Sequence, residues 1–411
     1  LQQIPYCILH SIDMQRTHTF LIIILLVIAG CGENKQSTGD FITVDVTENY
    51  PKKELILQDF MDVEYIALET TDEFVNQGIV HAVGKEIMLI GNQSNSEFFI
   101  YDRTGKGLRK INRWGRGPEE YEGIADIILD EDNGELFIID PFKGVLVYDL
   151  YGKFKRSFHS KEHSSLYNAY NYDNDNFICI KESFSGASSM NTVPFLIVSK
   201  HDGSINNEIH VPFTGKSAPV GIQVQIDNKG WMMSVMRAFH SPLIPYHSNW
   251  ILTEASSDTV FTYLKNHSMR PFIVRTPSRL TMSHETLLFP GIITDRYCFM
   301  LVMKEDFAAK SPWPAIPNHP VMTATNLVYD KQERIIFAPT VYNDDFSDKR
   351  QISMFQKTAD NSEIAFWLSI EANELMNDFK KGVLKGRLKE IAAALDEEDN
   401  PIIMLVKHKN P

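Results

Sequence analysis

Apolar and polar residues alternate with a period of two along much of this chain, and clusters of turn-forming residues break the alternation at short intervals. Residues 123–130 (GIADIILD), 135–140 (ELFIID), 145–149 (VLVYD) and 153–158 (KFKRSF) predict four successive antiparallel strands, with a turn at Glu131 to Gly134. The pattern recurs. EFFIYDRTGKGLRKI (97–111) and GVLVYDLYGKFKRSF (144–158) each give an apolar strand ending in Tyr-Asp, a turn closing on glycine and a second strand. Tyr101 and Tyr148 stand 47 residues apart, as do Gly105 and Gly152; FLIVSKHDGSINNEI (195–209) places Gly203 51 residues further on. A fainter copy, NLVYDKQERIIF, covers 326–337. A repeat of this length with four strands per unit predicts an all-β propeller.

Further strands are expected at EIMLIG (86–91), NFICIK (176–181), GIQVQI (221–226), WMMSVM (231–236), YCFMLVM (297–303) and AFWLSI (365–370). A ring must hide its seam, and FITVDV (41–46) with PIIMLVKH (401–408) are the expected closing pair. One helical stripe interrupts the strands. Leu375, Phe379, Val383, Leu388, Ile391 and Leu395 share a face over 371–400, which predicts a C-terminal helical insertion between strands of the last blade.

Before the repeats the pattern is different. Residues 14–30 (MQRTHTFLIIILLVIAG) carry Arg16 and then an apolar run too short to span a bilayer, as in a signal peptide. Ile28-Ala29-Gly30-Cys31 resembles the lipobox of bacterial lipoproteins, in which the cysteine after small residues receives the lipid. The expected organisation is therefore 1–30, upstream residues plus signal peptide; 31–40, a polar tether lipidated at Cys31; and 41–411, the propeller. Residues 1–13 have no place in a signal peptide and are set aside. The expected location is the bacterial cell envelope, on the outer membrane, facing the periplasm or the surface. Membrane contact would run through the lipid, because multiple acyl chains anchor stably.

Charge narrows the partners. The chain carries 40 Lys and Arg against 53 Asp and Glu, a net −13, which argues against nucleic acid. Beyond Cys7 and Cys31 only Cys179 and Cys298 remain, both in apolar runs, so neither a disulfide framework nor a CxxC metal pair is expected.

Residues 109–153, together with VEYIALETTDE (63–73), GRGPEEY (115–121) and DEEDNPIIMLVK (396–407), resemble the NHL-like repeats of six-bladed β-propeller lipoproteins from Gram-negative envelopes. Glu119 stands where that family commonly has glycine. The resemblance implies six blades on a lipid anchor, a fold that hosts binding proteins, lyases and hydrolases alike, and no particular reaction.

Long aromatic loops are expected to decorate one face of the ring: 111–122, 237–250, 305–320 and the 371–397 insertion. They supply Trp114, Arg116, Glu119, Tyr121, Arg237, His240, Tyr246 and Trp313 as candidate binding residues, flat aromatic faces with arginine forks suited to a glycan, a peptide or a protein partner. For Gly115 to Tyr121 a structural turn, with Glu119 or Glu120 bonding backbone amides, is the stronger reading. His159-Ser-Lys-Glu162-His163 has inverzincin spacing but lies outside a helix, and Gly115-Arg-Gly117-Pro118 lacks the third glycine of a dinucleotide loop. Asp130, Asp132 and Asn133 fit a hairpin better than a calcium loop, and Asp173 to Asn176 fit a turn. No cofactor, metal or catalytic residue is therefore expected. The domain is read as a monomeric binding module; a hydrolase or lyase assembled from separate blades at the channel mouth is the alternative.

Overall fold

The predicted strands pair as antiparallel sheets, which a computed structural model describes for residues 41–92, 96–159, 166, 169–180, 195–214, 223–225, 232–234, 242–306 and 321–409. Six sheets form the blades of a β-propeller. Blade 1 takes Ile79–Val83, Ile87–Gly91, Phe98–Asp102 and Gly107–Ile111; blade 2 takes Asp126–Asp130, Glu135–Asp140, Gly144–Asp149 and Phe154–Phe158. Blade 3 takes Tyr170–Asn171, Asn176–Ile180, Phe195–Ser199 and Ile205–Ile209. Blade 4 runs from Leu243–Tyr246 to Met269–Thr276, and blade 5 from Thr286–Ile293 to Ile335–Tyr342. A short hairpin, Gln223–Gln225 with Met232–Ser234, lies between blades 3 and 4 in the chain.

The core is divided into layers between successive blades. Phe137 of blade 2 meets Phe177 of blade 3 edge-on at 4.8 Å. The layer that includes Ile403 and Leu405 of blade 6 also includes Met88, Ile90 and Phe99 of blade 1, so the ring is closed by packing as well as by pairing. Each buried aromatic of this size is worth several kcal/mol on truncation, about 3–5.

The outer turns repeat too. Gly105, Gly152 and Gly203 all have positive φ, and each lies against the end of the preceding blade's outermost strand: Ala67 for Gly105, Ile111 for Gly152 and Phe158 for Gly203. Asp102 and Asp149 cap these turns, each accepting two backbone N–H bonds.

The N-terminal segment threads the rim. Ile42–Asp45 adds a fifth, parallel strand to the outer edge of blade 4, and Lys52–Ile56 does the same for blade 5. Met61–Ala67 then completes blade 6 by pairing antiparallel with Ile402–His408. The expected closure of 41–46 on 401–408 is thus corrected: the closing strand comes from 61–67, and 41–46 is spent two blades earlier.

Blade 6 has three regular strands, in the order Ile364–Ile370, Ile402–His408, Met61–Ala67. Because Ala67 meets Gly105 as Ile111 meets Gly152, Met61–Ala67 holds the outermost position. The innermost position is left to residues 354–361, which run irregularly along the channel. Met354 O accepts from Ile292 N of blade 5, the Thr358 hydroxyl bonds Tyr170 of blade 3, and the Asn361 amide donates to Gly84 O of blade 1. We call this segment the strap.

The helical insertion sits between Ile364–Ile370 and Ile402–His408 as expected, but as two helices, Ala372–Lys380 and Gly386–Ala392. Gly382, at φ +71°, ends the first, and residue 383 falls in the break rather than on a continuous stripe.

Candidate functional site in the central channel

The loop from blade 1 to blade 2 is built around its own backbone. The Glu120 carboxylate accepts from Gly117 N at 2.8 Å, and a Cβ on Gly115 would come within 2.0 Å of that carboxylate. Lys143 Nζ gathers the carbonyls of Gly117 and Glu120 at 2.9 and 2.7 Å. Tyr121 is fully buried, its hydroxyl donating to Ser96 O and accepting from Arg113 N, while the Tyr148 hydroxyl donates to Glu119 O. Tyr121 is therefore a post for this loop. Trp114 remains 65 % exposed with its indole N–H satisfied by Glu122 O, and the Arg116 and Glu119 side chains are exposed. Phe142, 75 % exposed, flanks the same loop beside Gly123 and was not foreseen.

Tyr246 lies elsewhere. It ends the innermost strand of blade 4, just before the first turn, and first turns emerge on the ring face opposite the loops that connect blades. Its hydroxyl bonds Lys331 Nζ at 2.8 Å, and burial pushes its pKa up to about 12. The structure thus separates Tyr246 from Trp114, Arg116 and Glu119. Arg237, His240, Trp313, Cys31, Glu162 and His163 lie outside the described residues.

The strap and the inner strands of blades 1 to 3 enclose a cavity of about 350 Å³, within the range that holds a small ligand. Its polar walls come from four places: His81 of blade 1, Asp126 of blade 2, Asn171 of blade 3, and Lys357 and Asp360 of the strap, with Trp367 of blade 6 alongside. His81 fits because position 91 behind it is glycine; a Cβ there would sit 2.3 Å from its Nε2. Burial, offset in part by Asp126 and reinforced by Lys357, pushes its pKa down to about 4, so the imidazole is neutral near pH 7.

Lys357 Nζ lies 3.4 Å from both oxygens of Asp126. Asp360 Oδ2 accepts from the Asn171 backbone N–H at 2.7 Å and from its amide at 2.6 Å. Enclosure by the ring pushes the Asp360 pKa up to about 7, against the Asn171 bonds and Lys200 and with the help of Asp130. The Asp360 side chain remains open to solvent, and its carboxyl takes up a proton more readily than an ordinary aspartate.

Deeper between blades 2 and 3, Lys200 Nζ bonds Asp130 Oδ2 at 2.6 Å and Asp173 O at 2.8 Å, with both side chains almost fully buried. Asp132 pairs with Lys85, and Asp173 Oδ1 accepts from the N–H groups of Asp175 and Asn176, so both acidic clusters are engaged as hairpin and turn. Cys179 and Cys298 are free and buried, their thiols pushed up to about 12 by that burial.

Nothing in the sequence marks this cavity as a motif. The available signal is polarity inside strands that should be innermost, the His81 of IVHAV and the Asp126 of DIILD.

Fold and cavity together define a six-bladed β-propeller with a ligand-sized channel site. The chain belongs to the family described as Domain of unknown function (DUF4934), which matches residues 41–407. Comparison with curated proteins returns no match. Among solved structures, a protein from Bacteroides fragilis NCTC 9343, described as exported by inference, is 14% identical, covers 90% of this chain and 100% of its own, and gives a TM-score of 0.53. A member of the DUF4221 family from Bacteroides vulgatus ATCC 8482 is 11% identical with a TM-score of 0.47, covering 86% of this chain and 100% of its own. Virginiamycin B lyase from Staphylococcus aureus is 12% identical with a TM-score of 0.35, covering 85% of this chain and 100% of its own. No helix among the described residues is long and apolar enough to cross a membrane.

Proposed function

We propose that this protein is a lipid-anchored envelope module, tethered through Cys31, that binds a small solute in its channel cavity without transforming it. The observation that carries this reading is the strap: a segment that leaves its blade and walls off a polar, ligand-sized cavity against three inner strands. Such strands hold their side chains rigidly, as a preorganised binding site requires. Asp126 is held by Lys357 and one oxygen of Asp360 by Asn171, a set of fixed acceptors that suits recognition of a ligand. NHL-like repeats and an outer-membrane location belong to the same reading, and the description of a protein of the same fold as exported accords with it. The exposed pair Trp114 and Phe142 favours a second contact surface on the opposite face, for an envelope glycan, peptide or protein.

Thermal-shift screening of residues 32–411 against metabolite, glycan and peptide panels tests the reading. A cavity ligand is expected to raise the melting temperature by a few degrees at about a hundredfold excess over Kd, and Asp126→Asn should abolish the shift. A shift that survives Asp126→Asn but disappears in Trp114→Ala would move the site to the loop face, and turnover of the ligand would sink the binding-module reading. For the anchor, incorporation of a labelled fatty acid into the full chain is expected in the bacterium, with complete loss in Cys31→Ser. Label persisting in that variant would refute lipidation at Cys31.

A further inference from the structure

We propose that the solute of the channel cavity is a small organic ammonium ion, bound through its N–H groups by Asp360; the proposal rests on the cavity being a binding site. Six acids line the cavity, Asp126, Asp130, Glu131, Asp132, Asp173 and Asp360, against three lysines, Lys85, Lys200 and Lys357. Each lysine is already matched: Lys85 to Asp132, Lys200 to Asp130, Lys357 to Asp126. Glu131 is spent on the backbone N–H groups of Lys85, Glu86 and Ile87, and Asp173 on its own turn.

Asp360 is the exception. Its only bonds among the described residues come from the neutral Asn171 and reach one oxygen, so Oδ1 is left to accept from whatever enters the cavity. Burial raises this carboxyl's affinity for a proton, so an ionised Asp360 gains from a cation brought beside it. Neutral His81 adds no competing positive charge.

An ammonium group offers three donors and a full charge to such an acceptor, and charge-assisted bonds are about twice as strong as neutral ones. Trp367 and Tyr170 in the same wall suit the carbon stem or the cation itself. A bare metal ion fits less well, because no three His, Cys, Asp or Glu side chains converge among the described residues and a cavity of about 350 Å³ has room for a molecule. Anions face an excess of carboxylates.

Isothermal titration of residues 32–411 with matched probes separates charge from shape: 1,5-diaminopentane, ethanolamine and lysine against 1,5-pentanediol and ethylene glycol. At least one amine is expected to bind at least tenfold more tightly than its hydroxyl counterpart, and Asp360→Asn should weaken it by about ten- to a hundredfold. Ser362→Lys, which places a competing ammonium at the cavity wall on an exposed position, should weaken the same amine even if Asp360→Asn folds poorly. Amines binding no better than the diols, amine binding indifferent to both variants, or tight binding of calcium instead would each overturn the proposal. If a diol, sugar or anion binds in the cavity, as judged by loss with Asp126→Asn, the ammonium assignment falls while the cavity stands as a binding site. If the earlier panels and these probes all fail to bind, the cavity reading falls with it.

Discussion

Lys200→Met is expected to lower the free energy of unfolding by about 3–5 kcal/mol, because it strands a carboxylate in the interior. Lys200 leaves the outer turn of blade 3 and reaches Asp130 at the end of the innermost strand of blade 2, passing 5.4 Å over the ring of Phe177. Without it, Asp130 keeps, among the described residues, the N–H and amide of Asn133 at 3.2 and 2.8 Å. Desolvating two ions offsets much of the pair's attraction, so the pair's net worth is small while the cost of halving it is large. The double variant Lys200→Met with Asp130→Asn should therefore recover most of the loss, since a buried amide costs far less than a buried charge. Urea titrations of the wild type, both single variants and the double variant give the cycle directly. A single-variant loss under about 1 kcal/mol would mean that water reaches Asp130 and that the joint between blades 2 and 3 is not sealed there.

The repeat that reveals the ring is written in turn chemistry, and it is legible only where that chemistry uses glycine. Blades 1 to 3 place Gly105, Gly152 and Gly203 at positive φ in their outer turns. Blades 4 and 5 make the equivalent turns with His267 at φ +63° and Arg334 at φ +56°, each giving its N–H back to the start of the turn, to Leu264 O and Asp330 O. Side chains pay a steric penalty in that conformation, so sequence alone does not mark it. That explains why 326–337 looks like a faint copy and why blade 4 shows none. Blade 6 is harder still, because its strands come from both ends of the chain and its innermost place is taken by the strap.

The loop 115–121 behaves as its turn chemistry predicts, with Glu120 rather than Glu119 making the backbone bond. The channel cavity could not be read in the same way. Its residues come from three inner strands and the turns beside them, the outer turn of blade 3, the strap and blade 6, and the aspartate that matters most sits in a segment without periodicity, where an isolated carboxylate looks like a surface residue. Distance around the ring, not along the chain, brings Asp360 to Asn171.

A chain beginning at Leu68 is expected not to fold, whereas one beginning at Phe41 should melt cooperatively. Removal through Ala67 strips nine buried hydrophobic side chains from the core, among them Val44, Leu57, Met61 and Ile66. At roughly 1.5–3 kcal/mol for each buried side chain, an upper range because unfolded chains are partly collapsed, the loss is about 14–27 kcal/mol. Whole domains are stable by only about 5–15 kcal/mol. The geometry compounds the loss: Ile402–His408, whose first five residues are buried and apolar, becomes an open edge, a template for pairing with other chains. Tyr65 also leaves Asp345 and Asn343 without the hydroxyl that bonds them at 2.9 and 2.8 Å, loosening the link from blade 5 to blade 6. Circular dichroism and size-exclusion chromatography of the two chains decide the matter. Soluble, monomeric, strand-rich material from the Leu68 chain would show that the ring closes through the channel strap and the blade faces alone, and that the rim strands are decoration rather than a clasp.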